Sequence, residues 1–124
     1  MACILIIEDS TQMSAQIRDI LEAEGHSILE AKEGLKGLQL AANRQPGCIL
    51  LDLILPDIDG LTVLKLLRQQ RPQIPVIVVS AHIREVIRTQ CLSNGAAAFI
   101  AKPPIESELR HTVERVLGSG KKSS

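Results

Sequence analysis

The sequence predicts one α/β domain, a doubly wound parallel sheet of five strands with helices on both faces. Two observations carry that prediction. Apolar runs of strand length alternate with longer stretches in which apolar residues recur at helical spacing, and the connections are short. The middle run, Cys48-Ile49-Leu50-Leu51, is apolar at every position before it meets Asp52. A strand without alternation is buried on both faces, as strands of a parallel sheet are.

The first strand is Ile4-Leu5-Ile6-Ile7, which ends in Glu8-Asp9. Ser10 or Thr11 caps a first helix on which Met13, Ile17, Ile20 and Leu21 share a face until Gly25 stops it. His26 to Ala31 reads as a short, weaker strand. Leu35, Leu38 and Ala42 place a second helix, broken between Asn43 and Gly47 with Pro46 inside the break. Strand three runs from Cys48 to Asp52, and Pro56, Asp57 and Gly60 turn the chain. Leu61, Leu64 and Leu67 line a third helix that ends near Arg71-Pro72. Pro75 opens Val76-Ile77-Val78-Val79-Ser80, a β-branched strand that finishes on a hydroxyl. Ile83, Val86, Ile87 and Cys91 describe helix four, which stops before Asn94-Gly95. Ala96 to Ala101 is strand five and runs into Lys102-Pro103-Pro104. Leu109, Val113, Val116 and Leu117 define the last helix, so that residues 1–118 are expected to form the domain and 119–124 a flexible tail.

Composition narrows the function classes. With 124 residues and 13.5 kDa the chain suits one domain with a real core. Lys plus Arg is 14 and Asp plus Glu is 14, so no net field draws it to nucleic acid or an anionic membrane. No apolar run approaches the ~18 residues of a membrane span, and a cytoplasmic location is expected. The 3 cysteines, Cys3, Cys48 and Cys91, are scattered in apolar sequence without a Cys-x-x-Cys spacing, which points to buried free thiols. One Phe and no Trp or Tyr leave no aromatic platform for single-stranded nucleic acid or a flavin.

The strand ends carry the chemistry. In order they are Glu8 and Asp9, then Asp52, then Ser80, then Lys102, and parallel strands bring all of them to one edge, where open α/β sheets bind ligands. Taken singly, each has an ordinary structural use: the acids beside a helix N-terminus, Ser80 as a cap, Lys102 as a surface lysine. Their coincidence at successive strand ends does not. Crowded carboxylates take up protons or recruit a cation, and Asp9 and Asp52 offer the hard oxygens of a Mg²⁺ site. Lys102, Ser80 and such a cation suit a phosphoryl group, with Asp52 as nucleophile.

In combination, Glu8-Asp9, Asp52 followed by Pro56 and Gly60, Ser80-Ala81 and Lys102-Pro103 resemble the motifs of response-regulator receiver domains of two-component signalling, and the resemblance spans residues 3–117. It implies a flavodoxin-like (βα)5 fold with strand order 2-1-3-4-5. It implies that Asp52 accepts a phosphoryl group from a histidine kinase or phosphotransfer protein. Asp9, Asp52 and the backbone carbonyl of Ile54 would hold Mg²⁺ or Mn²⁺, with Glu8 acting through a metal-bound water. Ser80 would move to the phosphoryl oxygen and Lys102 would pair with it, across a Lys-Pro peptide that is typically cis. Phe99 falls at the family's switch aromatic, although the only aromatic in the chain equally suits a core position. Output would be a contact with a downstream protein, or with a second copy in a phosphorylation-dependent dimer, through helix four, strand five and helix five. Such a domain is not an enzyme on other substrates; it catalyses its own phosphorylation and dephosphorylation. Two departures stand beside the phosphoryl position: apolar Ile54, two residues after Asp52, and His82, two after Ser80. Both are expected to tune the lifetime of the phosphorylated state.

Rival readings fail on particular residues. A haloacid-dehalogenase-type phosphatase also uses a strand-end Asp, Mg²⁺, Ser and Lys, but needs a second Asp two residues on as general acid, and Ile54 cannot transfer a proton. A flavodoxin-type carrier needs a phosphate cradle where Asp9-Ser10-Thr11 is acidic. Gly118-Ser119-Gly120-Lys121 lacks the spacing and preceding strand of a P-loop. A receiver-like module that is never phosphorylated would have no need of the retained acids.

Overall fold

The structure, a computed structural model, describes residues 1–82 and 84–121, with side chains through Gly118. Its elements alternate as expected: β1 (Cys3–Ile7), α1 (Thr11–Glu22), β2 (Ser27–Ala31), α2 (Gly34–Arg44), β3 (Cys48–Leu51), α3 (Gly60–Gln70), β4 (Val76–Ser80), α4 (Glu85–Ser93), β5 (Ala98–Ala101) and α5 (Glu106–Lys121). All neighbouring strands are parallel, in the order β2-β1-β3-β4-β5.

The apolar strands divide their side chains between two cores, which is why none of them alternates in polarity. Leu5, Ile7, Ile49, Leu51, Val76 and Val78 point to the face covered by α2, α3 and α4, where Ala41, Val63, Leu64, Leu67 and Cys91 meet them. Ile4, Ile6, Cys48, Leu50, Ile77 and Val79 point to the face covered by α1 and α5, against Ile17, Leu21, Leu109, Val113 and Val116. Each such Val, Leu or Ile side chain, taken fully out of water, contributes about 1.5–3 kcal/mol. Burial also holds Cys48 as a thiol, with its pKa pushed up to about 12.

Helix caps match the local chemistry in part. Ser10 is the N-cap of α1, its Oγ accepting the Met13 N–H at 3.1 Å, and Asp59 caps α3 through the Leu61 N–H. The second helix departs from expectation in phase: Gly34, Gly37 and Ala41 form its buried face, whereas Leu35 is 59% exposed. Small residues let α2 lie close to β1, and small residues give no hydrophobic signal in the sequence. Val86 on α4 is likewise 58% exposed, with Ile87 and Cys91 turned inward. Strands two and five begin at Ser27 and Ala98, later than their apolar runs do. The last helix extends through Lys121 into the segment expected as tail; residues 122–124, like Ile83, lie outside the described residues.

At the amino edge of the sheet, the Ala2 N–H donates to His26 Nδ1 at 3.1 Å, so the imidazole is used as an acceptor in its neutral form. Desolvation, and then the positive N-terminus, hold its pKa below the ordinary 6.5, against weaker opposing effects of Glu24 and Glu114. Between the lowered folded value and 6.5 the unfolded chain binds more protons. His26 therefore contributes stability that is present above pH 6.5 and lost as pH falls below it. Urea unfolding across that range should show wild type losing more stability on acidification than His26→Asn; parallel curves would contradict the assignment.

Candidate functional site

Register brings the strand ends together. Ile7 is paired with Leu51, so Glu8 and Asp52 leave adjacent strands side by side, and the Asp52 N–H still donates to Ile7 O at 3.0 Å. Ser80 is paired with Ala101, and the Lys102 N–H donates to Ser80 O at 2.9 Å. The Lys102-Pro103 peptide is cis.

Lys102 is the hub of the site. Its Nζ lies 2.6 Å from Glu8 Oε1 and 3.1 Å from Asp52 Oδ2, and both carboxylates are largely withdrawn from water, Glu8 at 3% and Asp52 at 8% exposure. Burial pushes the Glu8 carboxyl above its ordinary value, while the hydrogen bonds from Lys102 and from the Ser10 N–H pull the other way and the charge of Asp52 adds to the rise. Without the ammonium, two buried like charges would face each other uncompensated, a strongly destabilising arrangement. Asp52 Oδ1 is approached by the Ile54 N–H at 3.4 Å. Asp9 is exposed at the mouth of the site, just before the Ser10 cap. Ser80 is fully buried; its Oγ accepts the His82 N–H at 3.0 Å and donates no hydrogen bond among the described residues.

Close packing fixes the loop behind Asp52. The Gly60 N–H donates to Leu53 O at 2.8 Å, and a Cβ on Gly60 would stand 2.5 Å from Asp52 O and 2.7 Å from Leu53 O. Gly60→Ala should therefore displace α3 or the β3–α3 loop and cost about 1–3 kcal/mol in urea unfolding. Wild-type stability in this variant would show that the approach is looser than this.

One residue that positions the loop is not evident from the sequence alone. Asp57, read there only as a turn residue, accepts the Gly34 N–H at 2.8 Å and the Leu35 N–H at 2.9 Å, so the loop that carries the phosphoacceptor candidate also caps α2. Hydrogen bonding to these backbone N–H groups, Leu35 foremost, holds its carboxyl below the ordinary value. The available signal was a deficit: α2 starts at Gly34 after Glu33, whose side chain makes no capping bond, so the cap had to come from elsewhere.

The residues at hand fit a hard divalent cation. Two carboxylates at the ends of β1 and β3, Glu8 and Asp52, face one ammonium, and Asp9 follows Glu8 as an exposed third acid. Among the described residues no three acidic, His or Cys side chains converge enough to enclose an ion by themselves.

A flavodoxin-like sheet with buried acids and a lysine at its carboxyl edge defines the CheY-like class of domain. Residues 4–114 match the response regulator receiver domain family. The chain belongs to that family and is a receiver domain of two-component signalling. It is 32% identical over 117 residues to the polar-differentiation response regulator DivK of Brucella ovis, covering 93% of this chain and 95% of the relative. A CheY-like receiver domain protein from Methanospirillum hungatei superposes with a TM-score of 0.94 at 28% identity, covering 100% of this chain and 99% of that one. The receiver domain of NtrX from Brucella abortus gives 0.89 at 30% identity, covering 94% and 98%. Receiver domains are phosphorylated by histidine kinases or phosphotransfer proteins, generally bind Mg²⁺ at an acidic pocket, and signal to downstream targets. No helix among the described residues is long and apolar enough to cross a membrane.

Proposed function

We propose that this chain works in a phosphorelay, accepting a phosphoryl group on Asp52 from a phosphohistidine donor. The observation that carries the reading is the position of Asp52: a nearly buried carboxylate at the end of the central strand, with one oxygen 3.1 Å from the Lys102 ammonium. In the transfer, an Asp52 oxygen attacks phosphorus, the P–N bond to the donor imidazole breaks with its electron pair returning to nitrogen, and an acyl phosphate results. Lys102 and the Ser80 hydroxyl, whose donor is uncommitted among the described residues, supply positive charge and a hydrogen bond to the phosphoryl oxygens. Hydrolysis of the acyl phosphate by water returns Asp52 and phosphate, so both steps occur on the chain's own carboxylate. Asp9, Asp52 and the Ile54 carbonyl would hold Mg²⁺ or Mn²⁺, with Glu8 reaching it through water; the ion supplies charge neutralisation at the phosphoryl oxygens. Residues 1–118 act as the receiver unit.

The signal would leave through α4, β5 and α5. Phe99 on β5 is half-buried and borders a shallow pocket with Glu85 and Arg88 of α4 and Glu108 of α5, so a shift of Ser80 at the end of β4 can reach this surface through the adjoining strand. The partner would be a downstream protein or a second phosphorylated copy.

Intact mass after incubation with Mg²⁺ and acetyl phosphate tests the reading: one phosphate on Asp52 is expected, and none under conditions where Mg²⁺ binds would count against it. The cation assignment has its own measurement. Mg²⁺ at 100 times its dissociation constant should stabilise the unmodified protein by about 2.7 kcal/mol, because only the folded chain gathers the ligands. Asp9→Ala should remove most of that response, and an undiminished rise in melting temperature would mean the ligand set is different.

A further inference from the structure

A second concave site lies at the opposite, amino edge of the sheet, where Pro75 leads into β4 and Ala97 into β5. It has a volume of about 370 Å³ and is bordered by two arginines, Arg68 of α3 and Arg115 of α5. Arg68 is held in place: its Nη1 donates to Pro72 O at 2.9 Å and to Ile74 O at 3.3 Å, and its stem lies against Gly95. A Cβ on Gly95 would stand 2.8 Å from Arg68 Nε, and the φ of +97° there also favours glycine. These contacts use Nη1 and leave Nε and Nη2 without a protein acceptor among the described residues. Arg115 is exposed and forms no ion pair among the described residues.

Among the described residues no carboxylate lines this cavity. The charge pattern agrees: between Asp59 and Glu85 the chain carries Lys65, Arg68, Arg71 and Arg84 and no acid, although its net charge is zero. The Nε–Nη2 edge of Arg68 and the guanidinium of Arg115 together match the terminal oxygens of a phosphate better than a single carboxylate, since each can donate to two oxygens. The cavity, with room for roughly a dozen waters at ~30 Å³ each, is larger than a phosphate needs. Besides the arginines, Gln73 adds a neutral polar group to its lining, and Pro72, Pro75 and Val116 give it an apolar stretch.

We propose that this cavity binds a small phosphate monoester, with Arg68 and Arg115 clamping the phosphate and the proline and valine wall covering the organic part. The site is separate from Asp52 and does not depend on the phosphorelay reading. It is tested by amide and arginine Nε NMR of the full chain in Mg²⁺-free buffer at constant ionic strength, titrated with glycerol 3-phosphate, inorganic phosphate, or chloride as control. Saturable shifts at Gly95, Ala97 and Arg68 Nε are expected with both phosphates, tighter for glycerol 3-phosphate, and unchanged in Asp52→Asn. Arg115→Ala, an exposed position, should weaken binding about tenfold or more, and Arg115→Lys should restore only part of it. Linear shifts that chloride reproduces, equal affinity in Arg115→Ala, or shifts confined to the surroundings of Asp52 would overturn the proposal. Glycerol 3-phosphate binding no tighter than phosphate would overturn the role given to the apolar wall.

Discussion

Asp52→Asn is expected to abolish phosphorylation by acetyl phosphate and by any phosphohistidine donor, with no mass increase under conditions that modify the wild type fully. The amide keeps the shape of the side chain and can still accept the Ile54 N–H, but it lacks the anionic oxygen that attacks phosphorus. The fold should survive because the hub of the site survives: Lys102 retains Glu8, the nearer of its two partners at 2.6 Å. Stability in metal-free buffer should equal or exceed that of the wild type, because the charge of Asp52 is one of the causes that raise the Glu8 carboxyl. Two measurements separate the claims. Intact mass reports the nucleophile, and urea unfolding reports the crowding. A variant still phosphorylated would move the acceptor to Asp9 or Glu8, and one clearly less stable would mean that the Lys102–Asp52 pair outweighs the repulsion.

The fold was legible in the sequence because its determinants are local and redundant. Strands such as Ile4–Ile7 and Val76–Val79 are apolar at every position, and Asp52, Ser80 and Lys102 mark their ends. Features that depend on distance were less legible. The face of α2 is legible only in part: Leu38 packs against the core as its spacing predicts, but Leu35 points outward, and Gly34, Gly37 and Ala41 make the buried face by smallness. The capping role of Asp57 spans 23 residues and has no local signature beyond the missing cap at Glu33. Within the site, the residue types were evident but their partnership was not. Lys102 binds Glu8 more closely than Asp52, so the residue expected to act only through a metal-bound water is also the principal partner of the lysine. The cavity between Arg68 and Arg115 joins α3, the turn at Gly95 and α5, and nothing in their separate sequences announces that meeting.

The phosphorylated state is expected to be long-lived, and Ile54→Asn is expected to shorten its life about tenfold, the effect of about 1.4 kcal/mol on the barrier. Hydrolysis needs a water in line behind phosphorus, held by polar neighbours or at least admitted by them. Ile54 presents its backbone N–H to Asp52 Oδ1 at 3.4 Å, and its branched side chain, 63% exposed, lines a cavity beside this loop. His82 borders the same cavity of about 190 Å³, together with Leu53, Leu61 and Ile87. Its backbone is anchored by Ser80 Oγ, but its imidazole is exposed and has no hydrogen-bond or charged partner among the described residues. An imidazole without a second partner is poorly oriented as a base, so exclusion of water by the isoleucine should dominate over base help from the histidine. Asparagine at position 54 replaces the apolar wall with an amide able to hold the attacking water. Decay of the phosphorylated protein, followed by phosphate-affinity gel across a range of pH, tests both residues. Slow decay with little pH dependence, accelerated in Ile54→Asn and unchanged in His82→Ala, is the expected pattern. Rapid decay that slows in His82→Ala would assign the lifetime to the imidazole instead.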